Sequence, residues 1–268
     1  MNQSFMVPSF KLESGRVLPE LALAYETYGQ LAPDGRNAIL VAHGFAGNHF
    51  AASAPTPEMP FAGWWSGLVG SGKAIDTDRY FVVSSNMLGS SYGSTAPAST
   101  NPKTGKPYGP DFPDITLTDI IGAQKLLLDS LGVRHLVAVA GPSFGGYQAF
   151  QWAVTYPSFM TGVVPVVTAP KGSGGDAAVK ALQDRFAADP SWNGGWHYGG
   201  GILPTLVQHR VETLERYGQN EALARTIPDP AARAARLRQL AETWARQFDP
   251  NSMITLRKAA VRYDAGHE

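Results

Sequence analysis

Cysteine is absent from this chain, which excludes a disulfide scaffold and any cysteine metal site. An excess of one charge is absent too. Lys and Arg number 22 and Asp and Glu number 22, so neither a nucleic acid nor an anionic membrane would meet a charged footprint. The partner expected is a small molecule. Histidine is scarce, and the six present, at 43, 49, 135, 197, 209 and 267, form no H-x-x-x-H pair that would support metal chemistry. No apolar stretch approaches the roughly 18 residues that span a bilayer. The opening Met1-Asn-Gln-Ser-Phe-Met-Val-Pro8 lacks a basic leader and a long apolar core, so it does not read as a signal peptide and the expected location is the cytoplasm. Internal repeats and low-complexity tracts are missing as well.

What is present is an alternation of short apolar strands with helical patterns. At 268 residues there is material for one substantial core with an inserted cap. Glu20–Tyr28, Ala38–Ala42, Arg79–Ser84 and His135–Ala140 read as strands, and Gly162–Thr168 as a further one that Pro165 weakens. Thr118–Leu131 reads as an amphipathic helix, with Thr116 and Asp119 near its start and Gly132 at its end. This pattern predicts an α/β fold with a mostly parallel sheet and helices on both faces. After residue 170 only helices and Gly-rich turns are expected. Asp229–Phe248 opens with an N-cap followed by proline and puts Leu237, Leu240, Trp244 and Phe248 on one face. Arg233, Arg236, Arg238 and Arg246 fall largely elsewhere and read as a solvated face, with an anion site as the rarer alternative. The division expected is a core over 1–169, a helical cap over 170–250 and a return to the core over 251–268.

The most informative segment is Gly141-Pro-Ser-Phe-Gly-Gly146, placed between a β-branched apolar run and the helix former Tyr147–Val154. Strand, G-x-S-x-G and helix in succession read as a nucleophile elbow, a strained turn that lifts the Ser143 hydroxyl above the sheet. The bland alternative is a serine that caps the helix. An acylated serine passes through a tetrahedral oxyanion that needs two N–H donors. The first expected is the backbone N–H of Phe144. The second comes from the loop after the Ala38–Ala42 strand, His43-Gly-Phe-Ala-Gly-Asn48, where Phe45 is the candidate. His43 reads as a structural histidine at the strand end. Asn86–Pro113 is a long Gly-, Pro- and Ser-rich loop whose Tyr92, Tyr108 and Phe112 suggest an ordered segment lining a site.

Motifs along nearly the whole chain carry a resemblance. Tyr25-Glu-Thr-Tyr-Gly29, the His43–Asn48 loop, Gly63-Trp-Trp65, Gly72-Lys-Ala-Ile-Asp-Thr-Asp-Arg-Tyr80 and Ser85-Asn-Met-Leu-Gly89 come before the elbow, with Tyr92-Gly-Ser-Thr95 and Asn101-Pro-Lys-Thr-Gly-Lys-Pro-Tyr-Gly109; Asp189-Pro-Ser-Trp-Asn-Gly-Gly195 follows it. With these motifs the chain resembles the homoserine O-acetyltransferase family of the α/β-hydrolase enzymes. The resemblance implies an α/β-hydrolase fold with a helical cap and a homodimer built through cap helices. It also implies that Ser143 takes an acetyl group from acetyl-CoA, as a substrate with no resident cofactor, and passes it to a hydroxyl beneath the cap.

Three departures shape the expectation. An alignment on Gly201-Ile202 puts Leu206 and Thr213 where the family carries the Arg and Tyr that hold the homoserine carboxylate; His209 and Arg210 lie nearby only under a shifted alignment. Pro142 and Phe144 stand where the acetyltransferases usually have Gly and Met, which is nearer the family's esterase relatives. The strands that bear the family's catalytic Asp and His after the helix here spanning Ser252–Tyr263 are not in the pattern, and His267 only imitates a catalytic Gly-His. The sequence therefore predicts a truncated serine esterase or O-acyltransferase acting on a small ester or alcohol. The alternatives are a homoserine or serine O-acetyltransferase and a catalytically inert scaffold, and a downstream Asp-bearing strand with a later Gly-His would separate them.

Overall fold

The computed structural model describes residues 3–56, 59–199 and 201–266. Its main sheet has six strands: β1 Gln3–Val7, β2 Leu21–Tyr28, β3 Ala38–Ala42, β4 Phe81–Ser85, β5 Leu136–Pro142 and β6 Met160–Val166, in spatial order β1-β2-β4-β3-β5-β6. The β4–β3, β3–β5 and β5–β6 pairs are parallel, and the first two pairs of the sheet are antiparallel. This is an α/β-hydrolase sheet, mostly parallel with helices packed on it. β3 and β4 are buried at every position, which is why they read as unbroken apolar runs. β1 escapes sequence reading because it is an edge strand with no buried residue, so no alternation betrays it.

The first helix, α1 Leu117–Ser130, begins where a capping box predicts it. The Thr116 hydroxyl accepts from Asp119 N, and the Asp119 carboxylate accepts from Thr116 N at 2.9 Å. Gly132, at φ 79°, takes the left-handed step after its end. The helix after the elbow is α2 Phe144–Thr155, stopped by Pro157. Beyond β6 follow α3 Gly175–Ala187, α4 Leu203–Arg216, α5 Gln219–Ala224, α6 Pro230–Ala245 and α7 Pro250–Arg262. Among the described residues this region adds no strand, only an isolated bridge between Lys171 and Asp264.

Beside a small apolar cluster of Ile39, Val41, Ala51, Val69 and Val82, two larger ones result. One joins the sheet to α1, α2 and the inner face of α7 through Leu40, Ile120, Trp152, Leu256 and Tyr263. The other is internal to the helical region, where Phe186, Trp192, Leu206, Ala241 and Trp244 pack with Met253 and Ile254 of α7. The loop of residues 86–113 is ordered, but only one of its three aromatics faces the helical region. Tyr108 and Phe112 turn into the sheet core, edge to face at 5.4 Å, so for them the site-lining expectation gives way to packing. Three of the four arginines expected on the solvated face make local bonds: Arg233 to the Ile227 and Pro228 carbonyls, Arg236 to Gln239, and Arg238 to Glu242 as an ion pair. No described helix is long and apolar enough to cross a membrane.

Candidate active site

Ser143 occupies the joint between β5 and α2 with φ 53° and ψ −117°, a left-handed backbone that costs a non-glycine residue about 1–3 kcal/mol. Three contacts hold it there. Its N–H donates to the Val166 carbonyl at 2.9 Å, so the end of β6 buttresses the turn. Gly141 and Gly145 pass against β3, where a Cβ would stand 2.5 Å and 2.1 Å from the Ala42 carbonyl oxygen. Gly146 meets Thr168 just beyond β6, at 2.2 Å from a built Cβ. The small residues of the motif are thus sites of backbone approach, and Ser143 itself is exposed. Val167, beside it, is also left-handed at φ 48° and projects into solvent.

The two residues expected to supply N–H donors, Phe144 and Phe45, lie near each other. Phe144 opens α2, and the first-turn N–H groups that bond backward, those of Gly146 and Tyr147, go to the Ser143 carbonyl, outside which the Phe144 N–H remains. Gly44 lies against the elbow, its built Cβ 3.8 Å from the Ser143 Cβ, which sets Phe45 beside it. The Phe45 and Phe144 rings are 6.2 Å apart, and the Arg257 guanidinium covers the Phe45 ring at 4.7 Å.

No histidine or carboxylate is bonded to the Ser143 hydroxyl among the described residues. His43 is committed elsewhere: Nδ1 donates to the Gly44 carbonyl at 2.8 Å, and Nε2 accepts from Met87 N at 3.2 Å. Burial lowers its pKa to about 4, so it is a neutral structural ring that fixes the loop. His267 lies outside the described residues. Beneath the elbow runs a buried chain that sequence reading missed: Trp152 Nε1 donates to Gln124, Gln124 Nε2 to Gln148 at 2.7 Å, and Gln148 Nε2 to the His43 carbonyl at 3.2 Å. In sequence, Gln148 is one polar residue on a helix.

A cavity of about 320 Å³ opens between α4, α6 and the loop that continues from His43. Ala46, Gly47 and Asn48 form one wall, Trp244 and Arg210 the other, with Tyr92 between them. Tyr92, left-handed at φ 73°, packs edge-on against Phe248 at 6.1 Å. Leu206, by contrast, is buried in the helical core, and the Thr213 hydroxyl donates to the His209 carbonyl. A second polar cluster lies at the start of α7, where buried Asp249 accepts from the Tyr198 hydroxyl at 3.0 Å and faces His197 Nε2 at 3.3 Å. Among the described residues no group of three His, Asp or Glu side chains is arranged to hold a metal ion.

Comparison with known proteins agrees with this architecture. Residues 37–247 match the family described as alpha/beta hydrolase fold. The homoserine O-acetyltransferase of Moorella thermoacetica is 50% identical over 189 residues, 70% of this chain and 50% of that protein. The chain thus spans about half the length of the curated relatives it matches. The crystal structure of homoserine O-acetyltransferase from Bacillus anthracis superposes with a TM-score of 0.86 at 30% identity, over 100% of this chain and 77% of that one. Esterase E22 superposes with a TM-score of 0.84 at 31% identity, over 100% of this chain and 79% of its own. A serine held left-handed on a parallel sheet, the family match over residues 37–247 and these relatives mean that the chain belongs to the α/β-hydrolase family, among the homoserine O-acetyltransferases and their esterase relatives.

Proposed function

We propose that the protein performs serine-dependent acyl transfer or ester hydrolysis on a small substrate through an acyl-Ser143 intermediate. The observation that carries the reading is the Ser143 backbone, held in a strained conformation with Phe144 next in the chain and the Gly44–Phe45 loop against it, and the backbone N–H groups of Phe144 and Phe45 are the proposed oxyanion donors. In this scheme Ser143 Oγ adds to the acyl carbon, the oxyanion is met by the Phe144 and Phe45 N–H groups, and its collapse breaks the bond to the departing alcohol or thiol, which takes the serine proton; water or an acceptor hydroxyl then attacks the acyl-serine, and its own proton returns to Ser143 Oγ as the acyl group leaves. Acetyl-CoA enters as a donor substrate, and no resident cofactor is invoked. A homodimer through the cap helices belongs to the same proposal and is read by sedimentation velocity.

Homoserine itself is the less favoured acceptor, because Leu206 and Thr213 supply no charge at the aligned positions. A fluorophosphonate probe is expected to label Ser143 in the whole protein, and labelling that survives Ser143→Ala overturns the assignment. The kcat/KM for aryl acetates is expected to exceed that for homoserine with acetyl-CoA after allowance for intrinsic reactivity. The reverse order restores homoserine as the acceptor.

A further inference from the structure

Arg210 lies one helical turn beyond Leu206 on α4 and therefore on the same face. Its guanidinium stacks over Trp244 at 4.8 Å and forms part of the cavity wall. Among the described residues it makes no ion pair, and its Nε is buried with no hydrogen-bond acceptor. Burial lowers its pKa, but an arginine stays charged at any physiological pH. A mostly buried guanidinium without an acidic neighbour is costly to keep, and an incoming anion offsets that cost.

The rest of the cavity specifies what accompanies the anion. Phe50, Phe61, Trp64 and Trp244 make its walls flat and apolar, and no Asp or Glu is among the described residues lining it. An ammonium group would find no carboxylate among these described residues, which favours a plain carboxylate over a zwitterionic amino acid. The opening loop also links the cavity to the elbow: Gly44 abuts Ser143, and Ala46 and Gly47 line the cavity.

We propose that this cavity binds a small monocarboxylate with a ring-sized apolar body and no ammonium group, its carboxylate held by Arg210. That the carboxylate belongs to the substrate of acyl transfer rests on the function proposed above; that the cavity binds it does not. Phenylacetate and its neutral isostere phenylacetamide are the probes, titrated against the tryptophan fluorescence to which Trp64 and Trp244 contribute. Phenylacetate is expected to bind at least about tenfold more tightly than phenylacetamide, the range of a charge-assisted hydrogen-bonded pair. Arg210→Met is expected to erase that difference while leaving phenylacetamide within about twofold, and homoserine is expected not to compete. Equal affinity of the two probes, no saturable binding of phenylacetate, or a preference that persists in Arg210→Met overturns the proposal. The comparison of the two probes on the unmodified protein decides the matter even where Arg210→Met fails to fold. Ser143 reactivity takes no part in this titration, so a failed acyl-enzyme assignment and a failed cavity assignment give different results.

Discussion

Gly145 runs so close beneath Ala42 that a Cβ there would meet the Ala42 carbonyl oxygen at 2.1 Å. The obstacle is backbone on the central strand β3 and has no rotamer through which to yield. Gly145→Ala is expected to destabilise the fold by about 3 kcal/mol or more. Gly67→Ala, with open space around it, is expected to stay within about 0.5 kcal/mol of the parent. Thermal unfolding of the two variants checks this, and equal melting temperatures would refute it.

The buried Gln124–Gln148 pair makes a second prediction. Gln148→Leu removes the partner of both the Gln124 amide and the His43 carbonyl, and stranded buried polar groups cost about 1–3 kcal/mol in total. Urea unfolding measures the loss. A change below about 0.5 kcal/mol would mean that these groups find other partners.

Acid should weaken the fold through its neutral histidines. Above pH 6.5 the His43 ring is neutral in both folded and unfolded chains. As the pH falls from 6.5 towards 4, the unfolded chain takes up a proton that the buried ring refuses, so stability declines by about 1.4 kcal/mol per pH unit for this group. His49, as buried as His43, and the half-buried His209, lowered to about 3 and about 4, act in the same direction. The check is an NMR titration of the ring together with urea midpoints across this range. A His43 resonance that titrates near 6.5 in the folded protein sinks the argument.

Asp249 caps α7 by accepting from Asn251 N at 3.0 Å while it holds Tyr198 and His197. Asp249→Ala removes the cap and the acceptor of the Tyr198 O–H, whose oxygen keeps only the bond it accepts from Asn251 Nδ2, with an expected cost of about 2–3 kcal/mol by chemical denaturation. Asp249→Asn keeps a capping oxygen and is expected to recover part of the loss. Identical stability of the two variants would show that the cap contributes nothing.

Much of the sheet is legible in the sequence because its inner strands are buried on both faces. Ala38–Ala42 falls where its apolar run ends, and Phe81–Ser85 and Leu136–Pro142 lie within two residues of the expected bounds. The start of α1 is legible because Thr116 and Asp119 form a local motif. The elbow is legible for the same reason, its glycines and serine being contiguous. The Arg210 cavity is not, because its walls come from α4, α6 and the residue 46–64 loop, which meet only in the folded chain. Tyr92 stands in the same Gly- and Pro-rich loop as Tyr108 and Phe112, and nothing local separates the one that turns to the cavity from the two that turn to the core.

The hydrogen bond from Gln148 to the His43 carbonyl spans 105 residues of chain. Loop closure over such separations must precede the contacts that reward it, so parallel pairing of this kind forms slowly. The left-handed backbone of Ser143 depends on β3, β5 and β6 already lying in register, since Ala42 and Val166 hold it from either side. Until those strands meet, nothing on either side holds Ser143 in its strained conformation, and it keeps the backbone freedom of any serine in an open chain.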